Sequence, residues 1–225
     1  MIIITGARKG LGLAIANRLY SNGHEVIGIS RESFSADFKT YAVDVACFED
    51  LKKIAHELKK QKKSITGLIN AAGIAAMNLA ITTTEKKTRQ IIETNLLGTI
   101  FACQVFAPLM MRQAAGHIIN FSTIAVMIAL KGESIYVAAK SGIEGFSRAF
   151  AKEMADFNIQ VNCIAPGPID TDLLKGVPDK NIQSILSHQI IQKQFKPDDI
   201  ASLVEALLDK KLSSITGEVL SVGGI

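Results

Sequence analysis

A chain of 225 residues in which 48% of the side chains are hydrophobic and 20% are charged can bury a large core. Its longest unbroken apolar run, IAVMIAL at 124–130, falls well short of the about 18 residues a membrane helix needs. A net charge of +4, three widely spaced cysteines and four histidines without ligand spacing argue against a nucleic-acid surface, a disulfide framework and a metal centre.

The chain opens on MIIITG, which reads as a strand at 2–5 and leaves no room for a leader, so a cytoplasmic protein is expected. TGARKGLG (5–12) follows, and the apolar spacing of LGLAIANRLY predicts a helix at about 11–21. Strand, glycine turn and helix in that order form the context in which glycines serve a dinucleotide. Gly6 permits the tight turn, Gly10 lets backbone approach a pyrophosphate, and Gly12 allows the helix to pack closely on the strand. The helix N-terminus offers free N–H groups and partial positive charge to phosphate.

The second strand, EVIGIS (25–30), ends in SRES. A site for a bare ribose 2′-hydroxyl usually holds a carboxylate there. This chain has Ser30 and Arg31, with Lys9 of the glycine turn as a second cation, so NADP(H) is expected ahead of NAD(H). Glu32 is the one carboxylate that a small shift of the turn would bring in.

Farther along, strands are predicted at TYAVD (40–44), GLIN (67–70), HIINFS (117–122), IQVNCIA (159–165) and EVLSV (218–222). Helices are predicted at about 47–61, 84–112, 134–155 and 197–210. The lysine-rich 51–63 stretch keeps Leu51, Ile54, Ala55 and Leu58 on one face and reads as a solvated core helix. Several strands are apolar at nearly every position, as parallel strands covered on both faces are. The alternation implies a Rossmann-type α/β fold, a doubly wound parallel sheet of about seven strands in three α/β/α layers, with one domain over 1–225. Ligands bind such sheets at the carboxyl ends of the strands. YVAAK (136–140) lies in the 134–155 helix and puts Tyr136 and Lys140 on one face, one turn apart.

With these segments in order, the chain resembles the short-chain dehydrogenase/reductase family. The likeness runs through TGARKGLG, VDV (43–45), NAAG (70–73), NLLG (95–98), NFST (120–123), YVAAK, PGPIDT (166–171) and ITGEVLSVGG (215–224). The spacing is most like that of 3-oxoacyl-acyl-carrier-protein reductases. Two departures stand out: Ala71 replaces the second asparagine of the usual NNAG, and the tail ends in VGGI.

The resemblance implies reduction of a carbonyl to an alcohol by hydride from a bound nicotinamide. It makes Tyr136 the general acid, Lys140 the holder of the nicotinamide ribose that also lowers the tyrosine pKa, and Asn95 the anchor of a water linked to Lys140. Thr123, or in the competing register Ser122, would polarise the carbonyl. Asp44 and Val45 would meet adenine, Asn70 the adenosine ribose, and Ile169 and Thr171 the nicotinamide amide. Arg8, Leu11, Ala71 and Pro166 belong to the same cofactor-lining motifs. A non-catalytic NADPH-binding regulator and an NAD-dependent alcohol or sugar dehydrogenase are the alternative readings.

Two apolar segments, 123–132 and 172–195, are expected to line the substrate pocket, which suits an apolar acyl or cyclic ketone, free or carried on acyl carrier protein. Ala114 and Phe157 stand where carrier-docking arginines are usual in the resembling reductases, with Arg112, Arg148 and Lys152 nearby. The resemblance implies a homotetramer, or failing that a homodimer, for which Phe101, Val105, Phe146 and Phe150 on the two long helices would offer apolar surface.

Overall fold

The computed structural model describes residues 1–175 and 177–225; Gly176, within the segment 172–195 expected at the substrate, lies outside them. The strands are β1 (Ile2–Thr5), β2 (Val26–Ser30), β3 (Lys39–Ala42), β4 (Gly67–Asn70), β5 (Gly116–Phe121), β6 (Ile159–Pro166) and β7 (Val219–Val222). They form one parallel sheet in the order β3-β2-β1-β4-β5-β6-β7. The chain starts in the middle, winds outward to β3, then crosses back to β4. The topological switch point therefore lies between β1 and β4, where ligands of such sheets bind.

Side chains of each strand alternate between the faces, and both faces are apolar. Ile3, Leu68, Ile118 and Val161 join one core layer with Leu51, Phe106 and Met110. Ile2, Ile4, Ile69, Ile119 and Ile164 join the other with Ile15, Leu19, Ile200 and Val204. The first layer is covered by α2 (Phe48–Lys60), α4 (Gly98–Met111) and α5 (Ser134–Ala155). The second is covered by α1 (Gly10–Ser21) and α7 (Pro197–Leu207). This is the three-layer, doubly wound architecture expected. The lysine-rich stretch is α2, with Leu51, Ile54, Ala55 and Leu58 buried beneath its charged face.

Two elements depart from expectation. The uninterrupted helix foreseen at 84–112 is instead α3 (Glu85–Ile92), a π-helical turn (Glu93–Leu97) and α4. Asn95 supplies the reason: its Nδ2 takes the Ile91 carbonyl at 2.9 Å, the acceptor an α-helix assigns to the N–H of residue 95. The composite helix Glu85–Met111 is long and apolar enough to cross a membrane by length and composition. Over half of that apolar window is buried, with Ala102, Cys103, Phe106 and Met110 fully enclosed against the sheet, so it is a core helix. Within 172–195, expected at the pocket wall, lies α6 (Asp179–Leu186). Farther on, Ile191 N donates to Gly223 O at 2.8 Å and Phe195 N to Pro168 O at 3.2 Å, anchoring this segment to the tail and to the loop after β6.

Candidate active site

Helix α5 runs beneath the end of β5 and carries Tyr136 and Lys140 on its inward face. Both are buried. Lys140 Nζ donates to the Phe121 carbonyl at 2.8 Å and lies 5.6 Å from the centre of the Tyr136 ring. Burial pulls the Lys140 ammonium down to about 8, with the Cys163 thiol opposing as a smaller influence. Burial also pushes the Tyr136 phenol upward, and the negative charge of Glu133 adds to that rise. Burial thus moves the phenol in the direction opposite to the lowering by Lys140 that the resemblance implied. Desolvation of the phenolate dominates, and the ammonium is engaged with a backbone carbonyl.

The two hydroxyls after β5 part company. Ser122 is buried, and its Oγ donates to Glu144 Oε1 at 2.7 Å. Thr123 has an extended backbone, is half-buried, and its Oγ1 accepts from the Ala125 N–H at 3.2 Å. Among the described residues its hydroxyl has no acceptor for its own proton. Asn95 is fully buried in the π-helical turn: Nδ2 donates to Ile74 O at 2.9 Å, and Oδ1 accepts from Ile74 N at 3.3 Å. A Cβ built on Gly73 would sit 2.8 Å from Asn95 Oδ1 and 3.8 Å from Lys140 Nζ, so the NAAG loop borders both side chains.

The glycine turn sits at the switch point. Gly6 has φ +72°, and a Cβ there would lie 2.8 Å from Ala71 O, at the exit of β4; a Cβ on Gly12 would overlap the Gly6 carbonyl. Helix α1 starts at Gly10 without a side-chain cap and without an acidic residue in its first turn. Its first N–H groups thus have no side-chain cap and suit a pyrophosphate. Leu11 packs toward the α1/α7 core. Thr171 approaches from the opposite wall, 3.6 Å from a Cβ on Gly10, and Lys9 Nζ lies 3.7 Å from Asp172 Oδ2. Pro166 pairs with Val222 at the end of β6, and buried Ile169 bridges to Phe195.

The structure narrows three cofactor expectations. Lys9 pairs with Asp172 in the loop after β6, so the glycine-turn cation at the end of β2 is Arg8, whose Nη2 lies 3.1 Å from Glu32 Oε2. Asn70 points into the core: its Nδ2 donates to Asn120 Oδ1 at 2.8 Å and contacts Cys103 Sγ at 3.4 Å. Only its main chain is left to face a ribose. The Val45 side chain is likewise buried against Gly98, where a Cβ would lie 2.6 Å from its Cγ2. Asp44 turns the backbone after β3 by accepting from Ala46 N at 3.0 Å. Ala71 is half-buried on the α1/α7 side.

Sequence reasoning missed Glu133 and Glu144. Glu133 begins α5 three residues before Tyr136, and burial raises its carboxyl. Glu144 continues the four-residue spacing of Tyr136 and Lys140, a signal that was available in the sequence.

Residues 6–224 match the family model described as enoyl-(acyl carrier protein) reductase. The 3-oxoacyl-(acyl-carrier-protein) reductase FabG of Staphylococcus epidermidis is 32% identical over 236 residues, covering 99% of this chain and 96% of the relative. Ligand-free aldohexose dehydrogenase (AldT) of Thermoplasma acidophilum superposes with a TM-score of 0.89 at 30% identity, over 99% of this chain and 92% of its own. ElxO, solved with NADP bound, superposes at 0.88 and 29% identity over 98% and 96% of the two chains. The family model runs from the glycine turn through the last strand, and the FabG relative aligns over nearly the whole chain: the chain belongs to the short-chain dehydrogenase/reductase family and is an NAD(P)-dependent oxidoreductase.

Proposed function

We propose that the protein reduces a small-molecule ketone or 3-oxoacyl thioester to the alcohol with NADPH. The observation that carries this reading is the buried Tyr136–Lys140 pair held against the end of β5 beside the outward-facing hydroxyl of Thr123. A nicotinamide cofactor seated at the glycine turn supplies the hydride. Thr123 donates to the carbonyl oxygen and so stabilises the negative charge that develops there. Tyr136 delivers a proton to the same oxygen, and a phenol raised by burial stays protonated through neutral pH, as an acid in the reductive direction must. Lys140 holds the ribose, and Asn95 shapes the loop at its back.

NADPH is favoured because Arg31 and Arg8 flank the end of β2, and a 2′-phosphate can draw Arg8 from Glu32. The NADP-bound ElxO relative supports the same choice. The FabG relative brings 3-oxoacyl substrates on acyl carrier protein into consideration. Carrier docking has less support, since Arg148 pairs with Glu144 at 3.5 Å and Arg112 follows α4 at the amino end of β5, far from Tyr136 in the fold. A second reading, oxidation of a sugar or alcohol with NAD, is favoured by the Glu32 carboxylate and the aldohexose dehydrogenase relative. Following NADPH oxidation over a panel of ketones and acyl thioesters, beside NAD reduction with aldohexoses, separates the two. Turnover with aldohexoses and NAD alone would overturn the carbonyl-reductase reading, and turnover with neither would favour a regulatory role.

A further inference from the structure

Tyr136, Lys140, Glu144 and Arg148 recur at every fourth residue of α5, so one stripe of the helix carries a phenol, an ammonium, a carboxylate and a guanidinium in order. The first three are buried, and Arg148 reaches solvent. The carboxylate is engaged at both oxygens. Oε1 accepts from Ser122 Oγ at 2.7 Å, and Oε2 lies 3.5 Å from Arg148 Nη2. Keeping a carboxylate buried with one neutral donor and one half-solvated cation costs stability that an apolar side chain would not.

Its partner sits at a consequential point. The peptide unit that joins Phe121 to Ser122 donates its N–H to Ile164 O at 2.8 Å, while its carbonyl accepts from Lys140 Nζ at 2.8 Å. Helix α5 therefore grips the end of β5 twice, one helical turn apart: Lys140 at the backbone carbonyl and Glu144 at the adjacent side chain. Thr123 comes next, its backbone extended at φ −162°. Any rotation of the 121–122 peptide would swing the carbonyl away from Lys140 and turn the Thr123 hydroxyl with it.

We infer that Glu144 is a positioning residue: by holding Ser122 it fixes the peptide whose carbonyl aims Lys140 and whose continuation aims Thr123. The inference rests on the roles proposed above for Lys140 and Thr123. Glu144 itself reaches neither substrate nor cofactor.

Glu144→Gln keeps an oxygen for Ser122 and gives up the ion pair with Arg148. Glu144→Leu keeps bulk and removes the acceptor. Steady-state kinetics should give Glu144→Gln a kcat within about twofold of wild type. Glu144→Leu should lose about tenfold in kcat with a carbonyl-substrate KM changed less than about twofold. Ser122→Ala, which breaks the link from the strand side and tests it if Glu144→Leu fails to fold, should lose a similar amount. The double variant should lose no more than either alone, because both remove one interaction. In the cofactor-free protein, the NMR signal of the Lys140 side chain should move in Glu144→Leu and Ser122→Ala and stay in place in Glu144→Gln. That signal reads the link even where wild type turns over no carbonyl compound, an outcome that would count against the proposed function and not the link. An additive double variant, equal losses in Gln and Leu, an unmoved Lys140 signal, or lower thermal stability with kcat intact would each overturn the inference.

Discussion

Thr123 and Ser122 are neighbours with different surroundings. Adjacent residues of an extended strand point to opposite faces, and here one hydroxyl faces Glu144 in the interior while the other is half-exposed. Thr123 Oγ1 has already used an acceptor site on the Ala125 N–H, which orients the oxygen and leaves its proton to give. Removing that donor while keeping the shape, as in Thr123→Val, should lower kcat by about 100-fold or more. Thr123→Ser restores the donor and should recover most of that loss. The two variants, compared by steady-state kinetics on a substrate accepted by wild type, decide the register. A Thr123→Val enzyme close to wild type would move the polarising role elsewhere.

At the scale of elements, the sheet was legible because strands such as IIIT and GLIN are apolar throughout and are separated by helix-period stretches. The YVAAK pair was legible because four-residue spacing on a helix is a fixed geometry. The π-helical turn was not, since its cause is a tertiary bond: Asn95 reaches Ile74, 21 residues earlier, and the local sequence shows only a good helix. The direction of Asn70 was hidden for a related reason. Every residue of β4 is buried, so no polar alternation marks which face each side chain takes. The pairing of Lys9 with Asp172 depends on the loop after β6 folding back onto the glycine turn, and under the NADPH reading it leaves Arg8 and Arg31 as the cations proposed for the 2′-phosphate. Arg31→Asp should therefore weaken NADPH far more than NADH, by about 30- to 150-fold for about 2–3 kcal/mol of lost pairing and added repulsion. Glu32→Gln should act oppositely, releasing Arg8 and tightening NADPH a few-fold. Fluorescence titration with both cofactors reads the difference, and equal losses of the two in Arg31→Asp would remove the NADP assignment.

For the whole molecule, the expected assembly is a homotetramer, with a homodimer as the fallback, and the structure changes the surface that would carry it. Val105 and Phe150 are buried in the chain's own core, and Phe150 stacks on Phe146 with ring centres 5.0 Å apart, so they are not free for a partner. What α5 offers outward is a row of small residues. Ala138, Ser141, Gly145 and Ala149 are all exposed, three or four residues apart on one face, and a Cβ added at Gly145 meets nothing within 4 Å. Half-buried Phe101 and Phe146 lie on α4 and α5 and offer apolar surface of their own. Small side chains allow two copies of the helix to approach closely, and a two-fold axis would pair the row with itself, which suits an isologous contact. Ala149→Arg puts a long charged side chain on that row, at an exposed position where the cost to the folded monomer is small, within about 0.5 kcal/mol. Light scattering at micromolar concentration should show wild type as a tetramer or dimer and Ala149→Arg at half that mass, with an unchanged melting transition for the separated unit. A monomeric wild type would reject the assembly. An Ala149→Arg protein of undiminished mass would keep the assembly but remove α5 from its interface.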